Sequence, residues 1–221
     1  MATSAVEDYL KCILSEQQDS DGLVGMGRIG SLLKVAPGTV TAMIKTLAES
    51  DLVEYEPYSG VRLTPAGEKL AAHVLRRHRL IELFLVEVVG LDWSAVHEEA
   101  ELLEHAVSDR LIERMDELLG HPSVDPHGDP IPDRRGRLVE NRHSSLLVCP
   151  LECELTVVRV GDQNPDFLRH LESHGVVVGS WLQVKRRSKV GDSVLLEIRK
   201  GGELTLGFHA AAKVFVGPGA S

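Results

Sequence analysis

Nine consecutive residues, His97-Glu98-Glu99-Ala100-Glu101-Leu102-Leu103-Glu104-His105, place two imidazoles among four carboxylates. On an α-helix His97, Glu101, Glu104 and His105 stand at i, i+4, i+7 and i+8 and share one face. Like charges at that spacing cost a few tenths of a kcal/mol. A divalent cation would offset the repulsion, and imidazole with carboxylate is a donor set that transition metals accept. The alternative is a solvated acidic helix face, the ordinary meaning of a charge run. Upstream, His78 and Glu82 are i, i+4 partners beside Arg76, Arg77 and Arg79. They could reach one ion, or form one ion pair on a basic stripe. Downstream, His121, Asp125, His127 and Asp129 lie in a segment broken by Pro122, Pro126, Gly128, Pro130 and Pro132. Turns collect such residues for conformational reasons, so turn formation is the expectation there. Cys149 and Cys153 are spaced C-x-x-x-C without the second pair that a zinc site needs, and read as residues flanking a strand.

The elements that must position these groups follow from periodicity. Val6, Leu10, Ile13 and Leu14 form the apolar side of a helix over Val6–Glu16. The segment Asp19-Ser20-Asp21-Gly22 is a turn. Short helices are expected over Met26–Leu33 and from about Pro37 to Ser50, with Val40, Ile44 and Leu47 buried and Pro37 in a first helical turn. Two short helices about a tight turn read as a helix-turn-helix. Asp51–Leu63 alternates apolar and polar residues about Tyr58-Ser59-Gly60, as a hairpin does. Thr64 and Pro65 then cap a long helix running to Val86. Helix, helix-turn-helix, hairpin and helix make a winged helix. Ser94 or Asp92 is the expected cap of the His97–His105 helix, which ends near Val107, and Ser108-Asp109 caps another over Arg110–Leu119. Beyond an irregular stretch, His121–Pro150, come strands over Leu155–Val160, Leu182–Arg186, Ser193–Ile198 and Lys213–Val216. A helical turn is expected at Asp166–Ser173 and a strand entry at Gly175–Ser180. The fold class is mainly α with a small β domain.

The chain has 221 residues, 43% hydrophobic and 26% charged, the composition of an ordinary globular protein. No apolar run approaches the length of a membrane span, and the start reads as no signal peptide. Three cysteines without a framework suit a reducing compartment, so a cytoplasmic protein is expected. The net charge of −9 argues against indiscriminate nucleic-acid binding. Residues 1–72 hold six basic against ten acidic residues, which sits awkwardly with a DNA reader. Arg28, Pro37, Gly38, Thr39, Thr41 and Lys45 at the helix-turn-helix, with Ser59 and Arg62 on the wing, are the expected DNA contacts. Hydroxyls, backbone N–H groups and a helix N-terminus reach phosphates without net charge. No phosphate loop, dinucleotide fingerprint or nucleophile elbow occurs. Glu101-x-x-Glu104 followed by His105 also misses the Glu-x-x-His register of di-iron bundles, so an enzyme is not expected.

Taken together, the chain resembles the diphtheria toxin repressor family of metal-dependent regulators along essentially its whole length. The resemblance rests on Val6-Glu7-Asp8-Tyr9-Leu10, Ser59–Gly67, Arg77–Glu82, the His97–His105 stretch with Ser108-Asp109, and Pro126–Pro132. It implies a winged-helix DNA-binding domain over 1–72, a helical metal-binding and dimerisation domain over 73–140, a linker over 141–150 and an SH3-like β-barrel over 151–221. It further implies a cytoplasmic homodimer that binds double-stranded operator DNA when loaded with metal and represses metal-uptake genes. Position by position, the family's primary ligands match Asp8, Glu101, Glu104 and His105, and its ancillary ligands match His78, Glu82 and His97. A barrel ligand aligns loosely with Asp166.

Iron-responsive members carry Met and Cys where this chain has Asp8 and Glu101. Hard carboxylates in place of sulfur favour Mn²⁺, with Fe²⁺ the alternative and other divalent transition metals able to substitute in vitro. Lys11 stands where short manganese regulators have a second acidic ligand, so their closely spaced binuclear site is not expected. A winged-helix repressor sensing an organic ligand is the rival reading.

Overall fold

A computed structural model describes residues 3–19, 22–139, 143–199 and 201–219. Ser20 and Asp21 of the first turn, and the junction at 140–142 between helical domain and linker, lie outside the described residues. The chain divides into two compact units, one of residues 1–78 with 132–138, the other of 79–131 with 139–221.

The first unit is a winged helix. Helix α1 (Ser4–Asp19), α2 (Met26–Leu33) and α3 (Pro37–Glu49) close around Leu10, Ile13, Ile29, Val40, Ile44 and Leu47, all buried. Strands β1 (Val53–Glu56) and β2 (Gly60–Leu63) pair antiparallel, Val53 opposite Leu63, and form the wing. Val24 bridges to Val61, which ties the turn before α2 to the wing. Thr64 caps α4 (Pro65–Phe84) as expected: its hydroxyl accepts the Gly67 N–H at 3.2 Å and donates to Asp51 O at 2.6 Å. Gly67 is required here because a Cβ would fall 2.0 Å from the Leu52 carbonyl oxygen.

The second unit takes over within α4. That helix ends in a π-helical turn over Leu85–Val89, closed by Gly90 at φ 80°. Helices α5 (Val96–Leu103) and α6 (Asp109–Leu118) bury Val96, Ala100, Ile112 and Met115 against Leu80, Ile81 and Leu85. Two expectations change here. Helix α5 stops at Leu103, not near Val107, so Glu104 and His105 occupy the turn that follows, with Glu104 still bonded to Ala100 O at 2.9 Å. Ala95 is its cap residue, because the Asp92 carboxylate is taken by the Ser94 N–H at 2.7 Å. Ser108 caps α6 through the Leu111 N–H.

The β domain is a six-stranded antiparallel sheet in the order β3-β8-β4-β5-β6-β7. Its strands are β3 (Ser144–Ser145), β4 (Leu155–Val160), β5 (Trp181–Ser188), β6 (Ser193–Ile198), β7 (Gly202–Gly207) and β8 (Val214–Pro218). Helices α7 (Pro165–Ser173) and α8 (Phe208–Ala211) complete it. Gly175–Ser180 is a turn with glycines at φ 74° and 87°, not a strand entry. The core of Val157, Val160, Leu168, Leu171, Val184 and Leu196 also takes in Trp93 from before α5, which joins the β domain to the helices of the same unit.

Candidate metal centre

Helix α5 and its C-terminal turn present the primary candidates. Glu104 is fully buried and His105 is mostly so, with His105 Nε2 at 3.3 Å from Glu104 Oε1. Two atoms each about 2.1 Å from a common ion, at right angles about it, stand about 3 Å apart. The spacing therefore fits a shared cation. Glu101 lies one turn earlier, half-buried. Its Oε1 is 3.6 Å from His97 Nε2, while His97 Nδ1 contacts Glu82 Oε1 at 3.1 Å. With Nδ1 donating to Glu82, the other ring nitrogen offers its lone pair on the Glu101 side. His78 and Glu82 are both buried one turn apart on α4. Asp8 is half-buried on α1 of the first unit. Asp166 is fully displayed to solvent and paired with Arg169 at 2.7 Å. Among the described residues it joins no cluster of three or more metal donors.

The irregular segment holds what sequence reasoning set aside. Glu82 (0% exposed), Asp125 (3%) and His127 (0%) offer ligand atoms within 4.8 Å of one another. A tight loop makes this possible. Asp125 Oδ1 accepts the N–H groups of His127 (2.8 Å) and Asp129 (2.9 Å), which turns Oδ2 inward. His127 Nε2 lies 2.9 Å from the Trp93 carbonyl, which can only accept, so Nε2 carries the proton and Nδ1 presents a lone pair. That Nδ1 and Asp125 Oδ2 are buried with no hydrogen-bond partner among the described residues. Burial, with Asp129 and Glu82 close by, pushes the Asp125 carboxyl well above the usual carboxylate range, against the pull of Arg79. Arg79 Nε stands 3.7 Å from Asp125 Oδ2, and its Nη1 donates to Pro130 O.

The loop is clamped to β4. His127 O accepts the Val160 N–H at 2.8 Å, and Arg159 Nε reaches Asp129 at 2.5 Å. Gly128, at φ 86°, passes so close that a Cβ would sit 2.0 Å from Val158 O. The donors are oxygen and nitrogen throughout, and none of the donor clusters among the described residues contains Cys12, Cys149 or Cys153. The signal available beforehand was Asp-Pro-His-Gly-Asp-Pro, two loop formers bracketing a histidine.

In the first unit, Pro37, Gly38 and Thr39 are exposed at the start of α3, with Lys45 two turns on, and Ser59 is exposed at the wing tip. Arg28 is engaged by Glu16 at 2.7 Å and Arg62 by Glu54 at 2.5 Å, and Thr41 bonds back to Pro37 O. The charges of Arg28 and Arg62 are thus offset locally.

The fold and the donor chemistry define a winged-helix regulator equipped to hold metal. Family models match the iron-dependent repressor N-terminal DNA-binding domain over residues 1–61, its metal-binding and dimerisation domain over 64–133, and a FeoA domain over 145–218. The MntR transcriptional regulator of Bacillus pumilus is 33% identical over 54% of this chain and 81% of its own. The diphtheria toxin repressor of Corynebacterium efficiens is 35% identical over 57% of this chain and 54% of its own. A solved manganese-dependent transcriptional repressor in complex with manganese superposes at TM-score 0.89, with 38% identity over 96% of this chain and 98% of that one. The chain belongs to the iron-dependent repressor family, which comprises metal-dependent DNA-binding transcriptional regulators and not enzymes. Among the described residues no helix is long and apolar enough to cross a membrane.

Proposed function

We propose that this chain is a cytoplasmic, homodimeric repressor that senses Mn²⁺ and controls metal-uptake genes. The observation that carries the reading is the donor chemistry: buried carboxylates and imidazoles, with no sulfur, suit a hard and weakly binding ion. The manganese named for the superposed repressor supports the same choice. Because affinity order alone favours other first-row metals, geometry and availability complete the selection.

The primary ion takes Glu104 and His105, to which the family resemblance adds Asp8 and Glu101, the latter standing here beside His97. A second ion sits at Glu82. The resemblance supplies His78 and His97 there, while the clamped loop supplies Asp125 and His127. The loop carries the proposal, because its imidazole is already held in the ligand tautomer. By the family resemblance, a bound ion holds the two winged helices of the homodimer at the spacing of two half-sites on DNA, which they sample only among many others without metal. Bound metal supplies positive charge and fixed geometry. The residues of α3 and the wing do the reading. Exposed Leu102, Leu111 and Leu118, at 74%, 46% and 59%, support α5 and α6 as the homodimer surface.

The test is binding to a duplex selected from a random pool in Mn²⁺. Wild type binds with Mn²⁺, more weakly with anaerobic Fe²⁺ and not in EDTA, and Asp8→Ala or Glu104→Gln loses the metal response. Binding that ignores metal and chelator contradicts the proposal and favours an organic effector.

A further inference from the structure

Trp93 touches the loop set twice, and only its carbonyl has so far been given a task. That oxygen accepts the Nε2 proton of His127 at 2.9 Å, while the indole stacks on the same imidazole, with ring centroids 5.5 Å apart and planes inclined by 27°. The separation is that of an offset aromatic pair. Glu82, Trp93, Asp125 and His127 all belong to the second unit.

The two contacts constrain different motions. The hydrogen bond selects the tautomer, which leaves the Nδ1 lone pair on the side of Asp125 and Glu82. A single bond at Nε2 still lets the imidazole tilt about the line from Cβ to that nitrogen. Nδ1 lies off this line, and its lone pair lies in the ring plane, so a tilt carries it away from the two carboxylates. The indole face laid against the ring removes that freedom.

Trp93 is itself held. Asp92 Oδ1 accepts the Ser94 N–H at 2.7 Å and Asp92 O accepts the Ala95 N–H at 3.0 Å, which forms a turn about Trp93. The side chain is 8% exposed and sits in the core of the β domain. Filling that core does not by itself account for an indole. Its Nε1 is buried with no hydrogen-bond partner among the described residues, a cost that an aliphatic side chain would not carry.

We infer that the ring of Trp93 is a positioning element of the loop ion site, fixing the plane of His127 as the carbonyl fixes its tautomer. The inference rests on the reading that Glu82, Asp125 and His127 hold a second ion. Uptake at the loop then depends on an aromatic face that is not itself a ligand. The same stack makes occupancy visible, because paramagnetic Mn²⁺ quenches a nearby indole, and the chain has only Trp93 and Trp181.

The experiment titrates Mn²⁺ into wild type, W93F and W93L, counting bound ions by electron paramagnetic resonance. W93F keeps an aromatic face against His127, whereas W93L keeps the carbonyl and an apolar side chain without a ring. The expected result is wild-type binding of both ions by W93F. W93L binds the primary ion normally and the loop ion more weakly by about tenfold or more. In W181F, where Trp93 is the sole tryptophan, emission falls as the loop ion binds, and adding H127A abolishes the fall. Urea unfolding of the metal-free variants separates packing from positioning: both substitutions leave space in the core and lower stability, but only W93L lowers loop affinity. W93M, which fills more of that space without an aromatic face, repeats the comparison should W93L not fold. Equal weakening in W93F and W93L overturns the inference, as does unaltered loop affinity in W93L or weakening of both ions. If H127A instead binds as many ions as wild type, the loop holds no ion and the reading beneath the inference fails with it.

Discussion

Glu104 with His105, and Glu82 with Asp125 and His127, draw on the same side-chain types in different surroundings. The first pair sits at a helix end, with His105 still partly open to solvent and the two groups in mutual contact. The second set is closed from solvent, and its inward atoms on Asp125 and His127 have no hydrogen-bond partner among the described residues. A charge removed from water must find compensation or be neutralised. For the loop set, compensation comes from Arg79 at 3.7 Å and from a raised Asp125 carboxyl. The comparison teaches that an open pair can exchange its ion with solvent readily, whereas the buried trio is coupled to the integrity of its loop.

The largest effect tests that coupling at the backbone. Gly128→Ala puts a Cβ against Val158 O in left-handed backbone, and the loop cannot yield without releasing β4. We expect a loss of about 3 kcal/mol or more in urea unfolding of the metal-free chain. Gly90→Ala has the same sign of φ but nothing within 4 Å of the new atom, and should cost only about 1 kcal/mol. Equal losses at the two positions would remove the special status of the clamped loop.

A smaller effect tests the electrostatics. Because the folded Asp125 carboxyl is raised, the native state holds a proton that the unfolded chain has released. The stabilising contribution of that proton is full below the ordinary carboxylate value of about 4 and is lost as pH rises through the raised native value. The metal-free chain should therefore lose this contribution as pH rises above the ordinary carboxylate range. Asp125→Asn, which cannot ionise, should flatten that part of the profile in urea unfolding. Metal reverses the dependence, because binding must displace the proton, so ion uptake at the loop strengthens with pH.

Much of this was legible in the sequence where periodicity governs. The winged helix follows from Val40, Ile44 and Leu47 at helical spacing and from the alternation over Asp51–Leu63. The candidate donors of α5 and the turn after it, His97, Glu101 and Glu104, follow from i, i+4 and i+7. The loop was not legible, because Asp125 and His127 acquire their meaning from Trp93 O and Val160 N, partners far away in the chain. Spacing alone cannot separate such a candidate ligand from a turn former. Strand β7 was missed because Gly202 and Gly207, residues that ordinarily mark turns, stand at its two ends. The acidic balance of residues 1–72 is only part of the first unit's charge, because three further arginines arrive from residues 134–137.

The central claim is that the chain holds two separate ions, one at the α5 turn and one at the clamped loop. Electron paramagnetic resonance of free Mn²⁺ during titration of the purified protein counts the bound ions directly. The account predicts that Glu104→Gln and His127→Ala each bind one ion fewer per protomer than wild type, and that the double variant binds neither. Wild-type stoichiometry in His127→Ala, or loss of both ions in either single variant, would contradict it.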